Sequence, residues 1–306
     1  MLIKNLKYIV PTTIILLIAL LLAIDFNTAN GKGNSSQKET YSRIISLSPS
    51  TTETLFLLGL GDKVVGVTRF CGYPPEAKTK KEVGGYIDPN YEAIMQLNPD
   101  LVILLPEHEK VKKYLDQINI KYIMVDNKTV DDILNCIKTI GEICDAQEKA
   151  ASVLADMNST INEIELKTSG FTRKKVLVSV GRTFGSDSIS DAYIAGKHTH
   201  YDELILIAGG TNAFTIENLS YPMLSAEGII QINPDIIIDM APNLSEQNLS
   251  EEKLLSDWDS ITNLTTINKN NIYIYSKDYS SIPGPRIIYL LQDFAKIIHP
   301  EADWNF

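Results

Sequence analysis

The residue types best able to do chemistry in this 306-residue chain are a spaced pair of histidines and a Glu-His-Glu triplet. His198 and His200 would project two imidazoles from one side of a strand, where a zinc ion could collect them. The same residues also fit a polar loop ahead of a helix over 201–207. Glu107-His108-Glu109 follows an apolar run and reads as a solvated strand-end loop, with a ligand role as the alternative. Enzyme signatures are missing. Gly59-Leu60-Gly61 opens like a dinucleotide fingerprint, but Val64 stands where the third glycine belongs. No phosphate-binding Gly-x-x-x-x-Gly-Lys-Ser/Thr loop, Gly-x-Ser-x-Gly elbow or His-Glu-x-x-His pair occurs. With 28 basic and 38 acidic residues the formal charge is −10, the wrong sign for a nucleic-acid partner. Four His and three Cys are too few for a multi-zinc or disulfide-framework protein. Cys136 and Cys144 would lie about 12 Å apart along a helix, too far for a disulfide. Free thiols are expected.

The elements that must position these groups are legible as a leader, two similar halves and a connector. Lys4 and Lys7 precede an apolar stretch over 8–24, followed by a polar stretch over 25–40. This is the pattern of a secretory signal, with the positive flank held in the cytoplasm. Its 17 apolar residues leave two outcomes open, cleavage or retention as a membrane anchor. No Cys precedes Cys71, so a lipid-modified N-terminal cysteine is not expected. The halves repeat one another. Glu92-Ala93-Ile94-Met95-Gln96-Leu97-Asn98-Pro99-Asp100 is echoed by Glu227-Gly228-Ile229-Ile230-Gln231-Ile232-Asn233-Pro234-Asp235, each leading into an apolar run of the kind found in buried parallel strands. Upstream, residues 53–59 and 203–209 both read as apolar helices stopped by glycine, each after a strand candidate (43–47 and 175–180). Strands alternating with helices predict an α/β sheet in each half. Between them, Asp145 is the expected N-cap of a long helix with apolar residues at Ala146, Ala150, Val153, Met157, Ile161 and Ile164. The expected organisation is therefore a signal peptide or anchor over 1–30, a linker over 31–40, a first lobe over 41–144, a connecting helix over 145–169 and a second lobe over 170–306.

A more specific likeness rests on motifs in a fixed order. Arg43-Ile44-Ile45-Ser46-Leu47-Ser48-Pro49-Ser50 with Thr52-Glu53, then Gly66-Val67-Thr68 and Tyr73-Pro74-Pro75-Glu76-Ala77, resembles the periplasmic-binding proteins for cobalamin and ferric siderophores. The two Asn-Pro-Asp leads, Ala208-Gly209-Gly210-Thr211-Asn212 and Pro285-Arg286 extend the resemblance over nearly the whole chain after Tyr41. It implies two Rossmann-like α/β lobes joined by one rigid helix, the class III arrangement, with ligand held between them. It implies an exported, monomeric substrate-binding component of an ABC importer, without enzymatic activity, resident cofactor or metal. The transported ligand is then a corrinoid or an iron(III) chelate such as a siderophore or haem. Glu92 and Glu227 match the permease-docking glutamates. Phe70, Tyr86, Tyr221 and Tyr279 are the implied aromatic ligand contacts, because aromatic rings offer broad area at little entropy cost. Arg286 opens the last helix, where a cation opposes the macrodipole and calls for an anionic or carbonyl-rich partner. Arg182 and Arg69 are candidates to join it, which favours an anionic iron chelate. Two other functions fit less of the sequence: a receptor for bare Zn or Mn, and an anchored enzyme or scaffold on the same fold.

Overall fold

The computed structural model describes residues 40–242, 244, 248–262 and 268–306; the leader and residues 31–39 of the linker lie outside them. In the first half, five parallel strands form one sheet: β1 (Ile44–Ser46), β2 (Val64–Val67), β3 (Lys81–Glu82), β4 (Leu101–Leu104) and β5 (Tyr122–Met124), in the order β3-β2-β1-β4-β5. They alternate with α1 (Pro49–Leu57), α2 (Tyr91–Gln96), α3 (Glu109–Gln117) and α4 (Val130–Ile143). The apolar run expected as a parallel strand is β4, buried at every residue because helices cover both faces of such a sheet. The helix expected from residue 53 starts four residues earlier, since Ser48 accepts from the Thr51 N–H and Pro49 fills the first turn, where its missing N–H costs nothing.

The connector is α5 (Gln147–Thr168), about 33 Å long. Asp145 does not cap it. That residue takes a left-handed conformation (φ 65°) closing the end of α4, where the Ala146 N–H donates to the Gly141 carbonyl. Four α5 residues, Ala150, Val153, Met157 and Ile164, enter one hydrophobic core with Ile44 and Leu101 of the first sheet and Val176 and Ile236 of the second. Each large apolar side chain so buried contributes roughly 1.5–3 kcal/mol, so the helix is a shared wall of both lobes.

The second sheet contains β6 (Lys175–Gly181), β7 (Asp191–Ile194), β8 (Thr211–Asn212), β9 (Met223–Ser225), β10 (Ile236–Met240) and β11 (Ile272–Tyr275). Its helices are α6 (His200–Ile207), α7 (Ala226–Ile232), α8 (Glu251–Asp257), α9 (Asp259–Thr262) and α10 (Ile287–Ile298). The order is β11-β10-β6-β7-β9, with β8 also on β6. Here the sheet is mixed: β7 runs antiparallel to both β6 and β9. Its residues alternate exposed and buried, the pattern of a strand with one face in water.

The repeated Asn-Pro-Asp performs the same local work twice. Asn98 (φ 42°) and Asn233 (φ 46°) both turn left-handed to end α2 and α7, a conformation asparagine tolerates. The aspartates then fasten the neighbouring strand: Asp100 accepts from the Arg43 N–H at 2.9 Å and Asp235 from the Lys175 N–H at 2.7 Å. The basic side chains at 43 and 175 in turn bond carbonyls at the ends of α2 and α7, where a cation complements the helix dipole.

Candidate functional site

All strands of the first sheet run the same way, and the chain leaves β1 toward β2 on one side and resumes at β4 on the other. Such a reversal opens a crevice at the carboxyl ends of the strands. A cleft of about 890 Å3 lies there, between the two lobes. The first lobe supplies Ser48–Ser50 after β1, Phe70 after β2, Tyr86 before α2, Glu107 after β4 and Asp126–Lys128 after β5. The second supplies His200 at the start of α6, Tyr221 before β9, Asp278 and the turn at 281–283 after β11.

Three of the expected aromatic contacts therefore share one cavity. Phe70 is 58% exposed, an unusual position for a phenyl ring, and Tyr221 is about half-buried beside it in the lining. Tyr86 is the best held. His108 accepts the Leu105 N–H through Nδ1 (3.0 Å), so its proton sits on Nε2 and is donated to the Tyr86 carbonyl at 2.8 Å. Burial lowers the His108 pKa, which keeps the ring neutral in that double role. Burial, then the charge and hydrogen bond of Glu107, push the Tyr86 phenol up to about 12. Glu107 and His108 thus shape a cleft wall, and the solvated loop expected there holds a buried imidazole instead. Sequence patterning gave no sign of this, because the partner of His108 lies 22 residues away.

The remaining candidates lie off the cleft. The Arg182 side chain is 1% exposed and bonds Asp239 (2.8 Å) and Asp257 (2.7 Å), with the rings of Phe184 and Trp258 beside it. All its donors face protein, so it does not reach a ligand. Arg286 finds the anionic compensation it needs, but from the protein. Its guanidinium grips Glu53 with two parallel bonds (2.9 and 2.7 Å) and Asp278 with a third (2.8 Å), and Tyr73 stacks 4.0 Å away. Glu53 belongs to α1, so this contact joins the lobes. Tyr279 bonds Asp293 at 3.2 Å and flanks Arg286, outside the cleft lining. Arg69, exposed, pairs with Asp88. Glu92 and Glu227 are exposed in the first turns of α2 and α7.

The histidine pair is split. His198 stands in a left-handed turn, exposed and bonded to Glu217, whereas His200 follows the Thr199 cap and is buried at the cleft. A capped helix start, not a strand, sets their geometry. The segment 126–130 had no signal in the sequence, yet it ties the lobes at the cleft floor. The Lys128 carbonyl accepts the His200 N–H (2.8 Å) and the Val130 N–H donates to Glu203, both across the lobes, while Asn127 bonds Ser50 within the first lobe. All three cysteines are free and buried. No helix among the described residues is long and apolar enough to cross a membrane.

Two α/β lobes sharing one helix, with a cleft at their strand ends, define a class of two-lobed binding protein. Residues 44–279 match the periplasmic binding protein family, and the chain belongs to it. It is 28% identical over 273 residues to an uncharacterized ABC transporter substrate-binding lipoprotein of Bacillus subtilis (strain 168), covering 87% of this chain and 82% of that one. It is 28% identical over 253 residues to a vitamin B12-binding protein of Vibrio parahaemolyticus, covering 82% and 86%. The crystal structure of a possible iron-binding periplasmic solute-binding protein from Staphylococcus epidermidis superposes with a TM-score of 0.68 at 26% identity, covering 85% of this chain and all of that one. One expectation is overturned here. The Bacillus relative is a lipoprotein, so the exclusion of lipoproteins drawn from the position of the first cysteine does not stand.

Proposed function

We propose that this chain is the substrate-binding component of an ABC importer that carries a metal chelate, and that it binds without catalysing a reaction. The observation that carries the reading is the cleft itself: about 890 Å3, the size of a cofactor-scale site, walled by Phe70, Tyr86 and Tyr221 from three separate loops. Broad flat aromatic area suits a large macrocycle. The vitamin B12-binding relative and the iron-binding structural neighbour support the same class of ligand.

Charge separates the two kinds of chelate. The three arginines that would favour an anionic iron complex are paired with carboxylates. The cleft lining itself presents Glu107, Asp126 and Asp278 against Lys128. A neutral or cationic chelate, of which a corrinoid is the leading case, meets less repulsion there than a catecholate or carboxylate siderophore. A bare ion is less well served: no group of three or more His, Cys, Asp or Glu side chains among the described residues could hold one.

Glu92 and Glu227 are assigned to permease docking, since each stands exposed in the first turn of the equivalent helix of its lobe. Titration of the full chain with cyanocobalamin, ferric citrate and a catecholate siderophore, followed by Tyr/Trp fluorescence, tests the ligand. Tight corrinoid binding is expected, and exclusive binding of the anionic complexes would refute the charge argument. Replacing both glutamates by Ala should abolish uptake in cells and leave ligand affinity unchanged; a fall in affinity would refute the docking assignment.

A further inference from the structure

We infer that two exposed aliphatic side chains, Ile87 and Met223, are apolar anchors for the membrane permease, one on each lobe; the inference rests on the docking assignment of Glu92 and Glu227 above. Each stands between a cleft tyrosine and a docking glutamate. In the first lobe the order is Tyr86, Ile87, the helix cap Asn90 and then Glu92. In the second it is Tyr221, Met223, the cap Ser225 and then Glu227. Both caps accept the N–H three residues on. Ile87 is 69% exposed and Met223 58%. A single exposed aliphatic is ordinary. The same exposure at matching places in the two lobes is what a two-fold symmetric partner requires.

Neither side chain is exposed by slack packing. Ile87 sits at the tip of a turn closed by the Gly85 N–H on the Asp88 carbonyl (3.3 Å) and by a bridge between Gly84 and Pro89. In the second lobe the chain leading into β9 extends its ladder with β7. The Ile194 N–H donates to the Pro222 carbonyl (2.9 Å) and the Gly196 N–H to the Ser220 carbonyl (2.7 Å). The approach is so close that a Cβ at Gly196 would overlap the Leu219 carbonyl oxygen. Alternation along this ribbon turns Leu219, Tyr221 and Met223 to one side, and Tyr193, half-exposed, lies directly across from Met223. That side is apolar where a water-facing side is normally polar. A strip already fixed in shape loses little entropy when it is covered. It runs from the cleft-lining Tyr221 to the cap of the helix that carries Glu227, so a partner seated on the glutamate covers it. The net charge of −10 works against an anionic lipid surface as the occupant. It favours a protein that sets apolar pockets beside basic groups.

The test places a photo-crosslinking benzophenone side chain at Ile87, at Met223 or at Gln96, in the full chain and in the cells that make it. Gln96 bonds Glu92 at 3.2 Å, so a probe there reports docking by the glutamates; Leu166 of α5, also exposed, is the control. Probes at Ile87 and Met223 should attach to the same multi-spanning membrane protein as the probe at Gln96, and the control should not. Glu92→Ala with Glu227→Ala should remove all three adducts. With the probe at Gln96, Ile87→Ser and Met223→Ser should each lower the adduct yield about tenfold, and Met223→Leu should not. Urea midpoints of these variants should match wild type, which separates docking from misfolding. Adducts of Ile87 and Met223 with a second copy of this chain, with lipid or with nothing would overturn the anchors. So would an unchanged Gln96 adduct in the double serine variant; the docking assignment then survives. If the probe at Gln96 attaches to no membrane protein either, both fall together.

Discussion

Among the described residues, two arginine side chains are buried and each is gripped by two carboxylates, and they do different things. Arg182 and its partners Asp239 and Asp257 all belong to the second lobe and are almost fully buried. Asp257 also accepts the N–H groups of Gly185 and Asp187, so the cluster fastens the segment after β6 onto the lobe it came from. Arg286 has the same chemistry but divided loyalties. Its main partner, Glu53, sits 233 residues away in the first lobe, and its second, Asp278, is 57% exposed. A buried ion pair is weak evidence for stability, because desolvation offsets the attraction. Its geometry nevertheless fixes which surfaces meet, and here one cluster fixes a loop while the other fixes the angle between lobes.

Substitutions sharpen that contrast. Arg182→Ala leaves two buried carboxylates without a cation and should cost about 3–5 kcal/mol in urea denaturation, the largest effect expected. A cost below about 1 kcal/mol would mean that water reaches the cluster. Arg286→Ala should cost less, roughly 2–4 kcal/mol, because Asp278 can be rehydrated. Its loss should also shrink as pH falls. Burial already raises the Glu53 pKa against the opposing pull of Arg286; without the arginine, Glu53 takes up a proton at higher pH and no longer buries an unpaired charge. Denaturation at pH 5 and pH 8 checks the sign, and an equal cost at both would break the argument. This variant, unlike Arg182→Ala, should widen the spread of inter-lobe distances seen by solution scattering. Asp278→Asn should cost under about 1 kcal/mol, and a larger value would make Asp278 more than a rim charge.

The same contrast explains what the sequence could and could not reveal. Periodicity marked α5 and the buried strands, and the doubled Asn-Pro-Asp marked two equivalent units, since these depend on neighbours within a few residues. Arg286 was legible as a cation needing a counter-charge at a helix start. That the counter-charge would be Glu53 was not, because no local pattern records a partner 233 residues off. Arg182 misled for the same reason: a basic residue at a strand end looks alike whether it faces ligand or two buried aspartates. His200 was visible as a candidate, but only beside His198, and the Thr199 cap that separates them acts through three-dimensional geometry. Asp145 illustrates the converse, a good capping residue placed instead at the end of the preceding helix.

Two sets of bonds fasten the lobes to one another, from the His200 N–H to the Lys128 carbonyl beside the cleft and from Arg286 to Glu53 away from it. Capture should then be a single-step encounter with ordinary protein association kinetics, about 10^5–10^7 M−1 s−1, and cargoes should be ranked by their residence times. The same fastening sets a problem for unloading. A receptor that does not spring open by itself must be pried apart, and the work has to come from the membrane machinery that meets it.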